Sequence, residues 1–334
     1  PDLILTDLVN VQRLAENKVI KEITDLDYQQ FLNGLSEISV YEGKNYGIPF
    51  RAEDFLVFYY NQDYINSPPG DFEALLEYCQ EVNDEQQQIY GFMLNEMEAD
   101  WIIPFIGGYS DWIVDYANYS LSLDSEGTIK TLEFLLMIYD QQEPLIPRTT
   151  GYEEMNAMFK SGNLHMIINS ITAAEEYISE NLNIGVARIP EVYGENRRPT
   201  PLIWGTGFMI NANCYGQELE ATQSFIDFML SDQQQIKWTR DTGTLPATIA
   251  AKDDEYIRDN RILADAFTQA QLCRGIPPDS IIRAIRDSIR INLPKVLEEE
   301  FPIEEAVAKI QEDGIRLRSG SITVEQLMEE SLQQ

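Results

Sequence analysis

Basic residues are scarce in this chain of 334 residues. It contains 24 Lys and Arg against 56 Asp and Glu, which gives a formal net charge of −32 at pH 7. Nucleic acids and anionic lipid surfaces attract proteins through clustered Lys and Arg. The densest arginine groups, Arg197-Arg198 and the series Arg283, Arg286 and Arg290, both stand among acidic residues. We therefore expect no nucleic-acid partner and no basic membrane-binding helix.

Histidine is almost absent, and the glycine and histidine motifs of common enzymes are missing. His165 is the single histidine and stands inside an apolar segment at 164–168, so we expect a packed, hydrogen-bonded core residue. The chain has no Gly-x-Ser-x-Gly, no His-Glu-x-x-His and no P-loop, and Gly205-Thr-Gly207 lacks the third glycine of a dinucleotide loop. We therefore expect no catalytic residue, no metal and no cofactor.

Cysteine and long apolar runs are also lacking. Cys79, Cys214 and Cys273 are too few and too scattered for a disulfide framework, so buried thiols are expected, with one disulfide as the alternative. The apolar run at 55–60 is far shorter than the roughly 18–20 residues of a membrane span. The chain opens at Pro1 with neither an initiator Met nor a signal peptide, so we expect a trimmed chain or a fragment.

The residues that are abundant predict an α/β fold. Hydrophobic residues make up 44% of the chain, which is enough for a sizeable core. Short apolar strands, such as those at 2–7, 55–60 and 164–168, alternate with amphipathic helices, such as those at 127–139 and 219–230. This alternation predicts largely parallel sheets, and the length predicts two domains or lobes.

Six segments carry a common pattern in order along the chain. They are Pro1-Asp-Leu-Ile-Leu-Thr-Asp7 with 14–20, Tyr46-Gly-Ile-Pro-Phe50 with 58–63, Phe159-Lys-Ser-Gly162 with 166–170, Ser224-Phe-Ile-Asp-Phe-Met-Leu-Ser231, Thr242-Gly-Thr-Leu-Pro-Ala247 and Phe301-Pro-Ile-Glu-Glu-Ala-Val307. Together they resemble the family 1 extracellular solute-binding proteins of ABC importers, the maltose-binding-protein-like group. Each motif alone is weak, but their order over residues 1–318 makes the resemblance specific.

The resemblance implies a type II periplasmic-binding-protein fold, an α/β fold with two lobes and a ligand cleft between them. The implied N-terminal lobe comprises residues 1–52 and 207–259. The implied C-terminal lobe comprises residues 53–206 and 260–318, and residues 319–334 form a tail or linker. Family members begin with a strand, a helix and a strand before the segment equivalent to Pro1, so the N-terminal lobe is expected to be incomplete at its start.

The function implied by the resemblance is the capture of a sugar or oligosaccharide by hinge closure, without catalysis. The implied partners are the saccharide and the permease subunits of an ABC transporter. The implied location is extracytoplasmic, either periplasmic or anchored at the cell surface. Three alternatives stay open: a binder of a cationic solute such as a polyamine, a glycosidase with two cleft carboxylates, and a solute-binding or sensory domain fused to a permease or another protein.

Sugar sites combine aromatic faces with charged or amide groups that bond hydroxyls. The resemblance places such groups at Thr6, Asp7, Arg51, Glu53, Asp54, Glu98, Asp100, Trp101, Ser170, Thr172, Trp204 and Arg283. Trp101 is equally well explained as a core aromatic, and Arg283 as a partner of nearby acids. The carboxylates of the set would also serve the cationic-solute alternative as an acidic cage. Because aromatic residues are few in the set, we expect a smaller or more polar saccharide than a maltodextrin.

Overall fold

The structure is a computed structural model that describes residues 1–109, 111–149 and 151–333. The chain divides into two compact units. Unit 1 comprises Pro1–Phe55, Tyr116–Asn118 and Leu202–Pro278, and unit 2 comprises Leu56–Asp115, Tyr119–Pro201 and Asp279–Gln334. These bounds differ from the predicted lobes mainly at 260–278, which lies in unit 1, and at 319–334, which lies in unit 2.

Both units combine helices with strands, as predicted. The segment before residue 56 contains β1 (Leu3–Asp7), α1 (Val11–Glu16), α2 (Asn33–Glu37), β2 (Val40–Tyr41), β3 (Lys44–Asn45) and β4 (Ile48–Asp54). The next contains β5 (Leu56–Asn61), α3 (Phe72–Val82), β6 (Tyr90–Met93), α4 (Ala99–Gly108), α5 (Glu126–Ile138), α6 (Tyr152–Ser161), β7 (Leu164–Ser170), α7 (Ala173–Ser179) and β8 (Ile184–Ala187). The third contains β9 (Leu202–Ile210), α8 (Gly216–Leu230), α9 (Asp232–Thr242), β10 (Leu245–Pro246), α10 (Glu255–Arg258), α11 (Arg261–Ala270) and β11 (Arg274–Gly275). The last contains α12 (Asp279–Leu297), α13 (Ile303–Arg318) and α14 (Val324–Gln333).

Unit 1 is organised around a five-stranded sheet in the order β1-β9-β4-β10, with β11 beside β9. The central strand β9 is buried along most of its length, which explains its apolar, Gly-rich sequence. Phe50 on β4 and Phe208 on β9 pack with ring centroids 4.9 Å apart. Trp238 on α9 packs edge-on against Phe50 at 5.5 Å, so it contributes to this core as its mid-helix position predicts.

Unit 2 is organised around a four-stranded sheet in the order β6-β7-β5-β8. Its core contains an aromatic cluster centred on Phe72 of α3. The Phe72 ring lies 5.9 Å from Phe92, 5.3 Å from Phe105 and 5.1 Å from Phe134, each in an edge-on arrangement. Edge-to-face packing of this kind is the geometry that aromatic quadrupoles favour. The cluster ties α3, α4 and α5 to the sheet.

The prediction of largely parallel sheets is wrong for the strands that the structure describes. β9 runs antiparallel to both β1 and β4, and β5 runs antiparallel to both β7 and β8. Among the strands of the described residues, β6 with β7 and β11 with β9 are the parallel pairs. Alternating helices and strands imply parallel pairing only where a helix connects two neighbouring strands. Here β1 and β9 are neighbours, although a long stretch of chain that belongs largely to unit 2 separates them.

The segment at 319–334, predicted as a tail or linker, folds against unit 2 over its described residues. Lys295 on α12 donates a hydrogen bond to the Ser331 carbonyl of α14. Arg316 at the end of α13 pairs with Glu330, with Nη2 2.9 Å from Oε2. Because these contacts join three helices, α14 is part of the unit 2 helical layer.

The three cysteines are buried thiols in the structure, and none of them is paired with another. Burial raises the pKa of Cys79 to about 12, so its thiol stays protonated at neutral pH. The thiol of Cys273 is held by the Gln269 carbonyl 3.5 Å away. These groups behave as small apolar side chains, which was the expected state.

His165 is a packed residue of β7, as predicted, and this location makes its titration measurable. Its ring stacks on Tyr64 at 4.1 Å, and its Nδ1 lies 2.7 Å from the Tyr78 hydroxyl. Burial lowers the pKa of His165 from its usual 6.5. Since no second histidine exists, one imidazole signal in an NMR titration reports on it, and we expect a midpoint below 6.5.

The lowered pKa also fixes the sign of a stability effect. The contribution of neutral His165 to stability is present above the unfolded-state pKa of about 6.5 and is lost as pH falls toward the folded-state pKa. We therefore expect a His165→Gln variant to lose less stability than the wild type between pH 7.5 and pH 5. An NMR midpoint above 6.5 would contradict this account.

Candidate functional site

The sheet register of unit 1 brings several predicted site residues to one end of three neighbouring strands. Asp7 at the end of β1 lies opposite Thr206 on β9, and Thr206 lies opposite Arg51 on β4. Two residues earlier on β9, Trp204 lies opposite Asp54. Directly opposed residues of antiparallel strands share a face of the sheet. Residues that are far apart in sequence thus form one polar and aromatic row.

Arg51 is the centre of this row. Its Nε donates to the Thr206 hydroxyl at 2.8 Å, and its Nη2 lies 2.7 Å from Oε1 of Glu53. The Thr206 hydroxyl also lies 3.3 Å from the same Glu53 oxygen, and the guanidinium lies 5.7 Å from the Trp238 ring. Both charged side chains are partly exposed. The arrangement presents a fixed guanidinium and a fixed carboxylate, which are strong hydrogen-bonding partners for a polar ligand.

Two irregularities in β4 explain why Glu53 reaches Arg51. The register of β4 against β9 shifts between Pro49 and Arg51 and again between Ala52 and Asp54. Each shift adds an unpaired residue to β4, and a bulge of this kind redirects side chains. Glu53 is the second extra residue, and its carboxylate turns toward Arg51 and Thr206.

The backbones of β4 and β9 approach so closely at Gly205 that a side chain would not fit. A Cβ there would lie 2.6 Å from the Arg51 carbonyl oxygen and 2.5 Å from Cδ2 of Leu35. We expect Gly205→Ala to destabilise the protein by about 2 kcal/mol through overpacking, measured by urea denaturation. Gly70→Ala is the matched control, because a Cβ at Gly70 meets nothing within 4 Å. If the two variants were equally stable, β4 and β9 would be able to move apart at Gly205 without a loss in the free energy of unfolding.

In unit 2, Trp101 forms an aromatic pair with Tyr152. Trp101 lies in the first turn of α4, and its indole Nε1 donates to the Ile168 carbonyl near the end of β7 at 2.7 Å. The Tyr152 ring, at the start of α6, lies 6.2 Å from the Trp101 ring at an interplanar angle of 60°. Both rings are half-buried. The hydrogen bond fixes the indole, and a fixed, partly exposed indole suits stacking on a sugar face.

Two hydroxyls lie at and just after the end of β7, the strand whose Ile168 carbonyl bonds Trp101. Ser170 Oγ lies 2.6 Å from the Thr172 hydroxyl and accepts a hydrogen bond from the Thr172 backbone N–H at 3.0 Å. The hydroxyl of the buried Tyr59 donates to the Ser170 carbonyl at 2.9 Å. Because β7 also bonds Trp101 through Ile168, these hydroxyls and the indole are positioned by one strand.

Asp100 makes a two-point ion pair with Arg286 of α12. The guanidinium donates from Nε and Nη2 to the two carboxylate oxygens, with both distances 2.7 Å. Arg283, the arginine of this helix that the resemblance indicates, is exposed and donates through Nε to the Asp279 carbonyl of its own helix. The contact between α12 and the predicted site residues is therefore made by Arg286, one turn further on.

The loop that precedes α4 is anchored by a buried carboxylate. The side chain of Glu96 is 1% exposed, and its Oε1 lies 3.3 Å from Nε of Arg148. It also accepts the backbone N–H of Thr149 at 3.2 Å and the Tyr139 hydroxyl at 3.2 Å. Burial raises the pKa of Glu96 from its usual 4.5, and the donors from Thr149 and Arg148 oppose this rise. Glu98, two residues on, is exposed at the N-cap of α4.

Sequence reasoning missed several residues that contact the predicted site residues. Among them are Thr206, Tyr152 and Arg286. Thr206 stands two residues after Trp204 on the same strand, so period-two spacing would have indicated it. Arg286 and Arg283 are three apart on one helix face, which left the choice between them to tertiary contacts. Tyr152 carried no sequence signal, because the apolar spacing of its helix does not mark a half-buried ring in the first turn.

Neither a metal cluster nor a membrane span is present in the part of the chain that the structure describes. In residues 1–109, 111–149 and 151–333, no three His, Cys, Asp or Glu side chains are grouped to hold a metal ion. Within the same ranges, no helix is long and apolar enough to cross a membrane.

The chain belongs to the bacterial extracellular solute-binding protein family, whose model matches residues 1–264. It is 20% identical over 286 residues to a maltodextrin-binding protein, MdxE, of Bacillus subtilis, a match that covers 83% of this chain. It is 22% identical over 260 residues to a maltooligosaccharide ABC transporter solute-binding lipoprotein of Streptococcus pneumoniae, a match that covers 75% of this chain. These matches cover 68% and 60% of the lengths of the two relatives.

The fold is shared with solved structures of maltodextrin-binding proteins. A cyclo/maltodextrin-binding protein complexed with maltotetraose superposes with a TM-score of 0.81 at 19% identity, covering 96% of this chain and 83% of that one. The predicted type II, two-lobe α/β class is therefore confirmed. At this identity the likeness concerns the fold alone.

Proposed function

We propose that the chain is the substrate-binding component of an ABC importer and that it captures a sugar or a short oligosaccharide. The family is one of extracellular solute-binding proteins, and two relatives carry maltodextrin or maltooligosaccharide in their names. The proposed location is extracytoplasmic, and the proposed partners are permease subunits. The chain is proposed to bind its solute without turnover.

The observation that carries this proposal is the aromatic pair of Trp101 and Tyr152 beside polar groups of fixed geometry. An indole held by the Ile168 carbonyl offers an apolar face to sugar C–H groups. Ser170, Thr172 and the Asp100–Arg286 pair supply hydroxyl, carboxylate and guanidinium groups from neighbouring elements. In unit 1, the ion pair of Arg51 and Glu53 supplies a second guanidinium and a second carboxylate for hydrogen bonds to a ligand.

The pairing of the carboxylates weighs against the cationic-solute alternative. Of the acids in the supposed cage, Glu53 is paired with Arg51 at 2.7 Å and Asp100 is paired with Arg286 at 2.7 Å. A carboxylate that already binds a guanidinium offers less charge to a cation. We therefore favour a neutral, hydroxyl-rich solute over a polyamine.

A titration calorimetry panel of glucose, maltose, maltotriose and spermidine tests the proposal. We expect saturable binding of at least one saccharide near the micromolar range, about −8 kcal/mol, and weak, salt-sensitive heat with spermidine. Tightest binding of glucose or maltose would fit the few aromatic residues of the site, and tightest binding of maltotriose would contradict that preference for a small sugar. Absence of binding to every saccharide would overturn the proposal itself. Hinge closure stays a prediction, and small-angle scattering with and without the bound sugar tests it.

A further inference from the structure

Unit 2 contains a groove of about 330 Å³ whose α4 residue, Tyr109, lies at the opposite end of that helix from Asp100 and Trp101. Its lining comes from Tyr109 at the end of α4, from one side of α5, and from residues 193–195 in the loop after β8. None of the predicted site residues is among the described residues that line it. The volume falls at the lower end of the range of about 300–1,000 Å³ that small-ligand pockets occupy.

Aromatic rings form much of the groove wall. Tyr109 and Phe134 are buried, whereas Tyr193 is 41% exposed, which is high for an aromatic ring. The Tyr193 ring stacks on Phe134 with centroids 6.5 Å apart and planes 26° apart, and the Tyr109 hydroxyl donates to the Tyr193 carbonyl at 3.1 Å. The contact with Phe134 and the hydrogen bond from Tyr109 therefore hold Tyr193 in place, while part of the residue stays exposed to solvent.

Carboxylates outnumber cations around these rings. Glu133 and Glu195 line the groove together with Lys130. Lys130 is bonded to Glu195 at 3.0 Å and lies 3.6 Å from Glu126, so its charge is compensated locally. Glu73, whose carboxylate accepts the Gly194 backbone N–H at 2.6 Å, adds another negative charge nearby.

The negative field of these carboxylates acts on the groove itself. Burial, followed by Glu73, Glu195 and Glu133, raises the pKa of Tyr109. The carboxylates thus disfavour a further negative charge at the Tyr109 hydroxyl, and the same field favours a positive one.

We propose that this groove is a binding site for a small organic cation of the alkylammonium class. A cation placed over the Tyr193 ring is attracted by its quadrupole, and Glu133 attracts it by charge, whereas the charge of Glu195 is offset by its ion pair with Lys130. An anion would be repelled, and a neutral apolar ligand would cover the carboxylates without neutralising them. The net charge of −32 raises the local concentration of cations over the whole surface, and the groove adds aromatic walls to this general attraction. This site does not depend on the sugar-binding proposal.

Choline and its neutral carbon isostere, 3,3-dimethylbutan-1-ol, are the probes that separate charge from shape. We expect titration calorimetry of the whole chain at low ionic strength to give a one-site isotherm for choline, with Kd on the order of 1 mM. The isostere is expected to bind at least about tenfold more weakly, since it lacks the cation–π and ion-pair attraction.

Two variants of the groove and one matched control locate the site. Glu133→Gln and Tyr193→Ala change exposed side chains, and each is expected to weaken choline binding by about tenfold. Glu220→Gln alters net charge by the same amount as Glu133→Gln, but on the exposed face of α8 in unit 1, and is expected to leave choline binding unchanged. Circular dichroism of each variant verifies that the fold is retained.

Three results would overturn the assignment of the cation to the groove. If Glu133→Gln and Glu220→Gln weakened choline binding equally, choline would be attracted to the acidic surface in general and not to the groove. Equal affinity for choline and its isostere would mean that the positive charge of the ligand is not recognised. If Glu98→Gln weakened choline binding and Glu133→Gln did not, the cation would be assigned to the predicted solute site.

Discussion

Replacement of Trp101 by Ala is expected to weaken saccharide binding by roughly 100-fold, or about 2.7 kcal/mol, for the tightest-binding sugar among glucose, maltose and maltotriose. The change removes the half-buried indole face and leaves Tyr152 without its aromatic neighbour. An aromatic platform is typically a dominant contact in a small-ligand site, which sets the size of the effect. Titration calorimetry measures the loss directly.

Two controls separate stacking from general damage. Trp101→Phe keeps an aromatic face but loses the indole N–H that bonds the Ile168 carbonyl, so we expect an intermediate loss of about tenfold. Phe228→Ala removes an aromatic ring that is 54% exposed on α8 of unit 1, and it is expected to change affinity little. If Trp101→Ala bound the sugar as tightly as the wild type, Trp101 would be a core aromatic and not a platform.

Much of the fold was predictable because buried faces of helices and strands require apolar residues at regular spacings in the sequence. The strand predicted at 2–7 is β1 (Leu3–Asp7), and the apolar run at 55–60 is β5 (Leu56–Asn61). The apolar spacing of residues 8–20 predicts one helix over that range, but the structure has a shorter one, in which a 3-10 turn leads into α1 and α1 ends at Glu16. Lys18 adopts φ 55°, a left-handed conformation that stops a helix. The spacing of apolar residues does not predict the residue at which a helix ends.

Strand direction and site geometry were less predictable because both depend on partners distant in the chain. The apolar pattern predicts a strand that begins after Trp204, but Trp204 lies within β9, whose buried residues show no alternation. The row formed by Asp7, Thr206 and Arg51 exists only because β9 inserts between β1 and β4. The resemblance to the family indicated these regions of the chain, whereas the contacts among the side chains came from tertiary structure.

Glu96→Ala is expected to destabilise the protein by about 3 kcal/mol in urea denaturation. The substitution removes a buried acceptor from the Thr149 N–H, the Tyr139 hydroxyl and Arg148, and it leaves space behind the loop that precedes α4. Glu98→Ala is the matched control, because Glu98 is exposed two residues further on, and its effect is expected within about 0.5 kcal/mol.

The neutral isostere Glu96→Gln should behave differently, and its pH dependence has a definite sign. Since burial raises the folded-state pKa of Glu96, its favourable contribution is present below the unfolded value of 4.5 and is lost as pH rises through the folded-state pKa. Gln keeps an acceptor for the Thr149 N–H without a charge, so we expect a loss below about 1 kcal/mol at pH 7. The stability of Glu96→Gln relative to the wild type should increase between pH 4.5 and pH 7.5. A relative stability that falls over this interval would mean that the ion pair with Arg148 outweighs desolvation, and that the loop is held by charge and not by its hydrogen bonds.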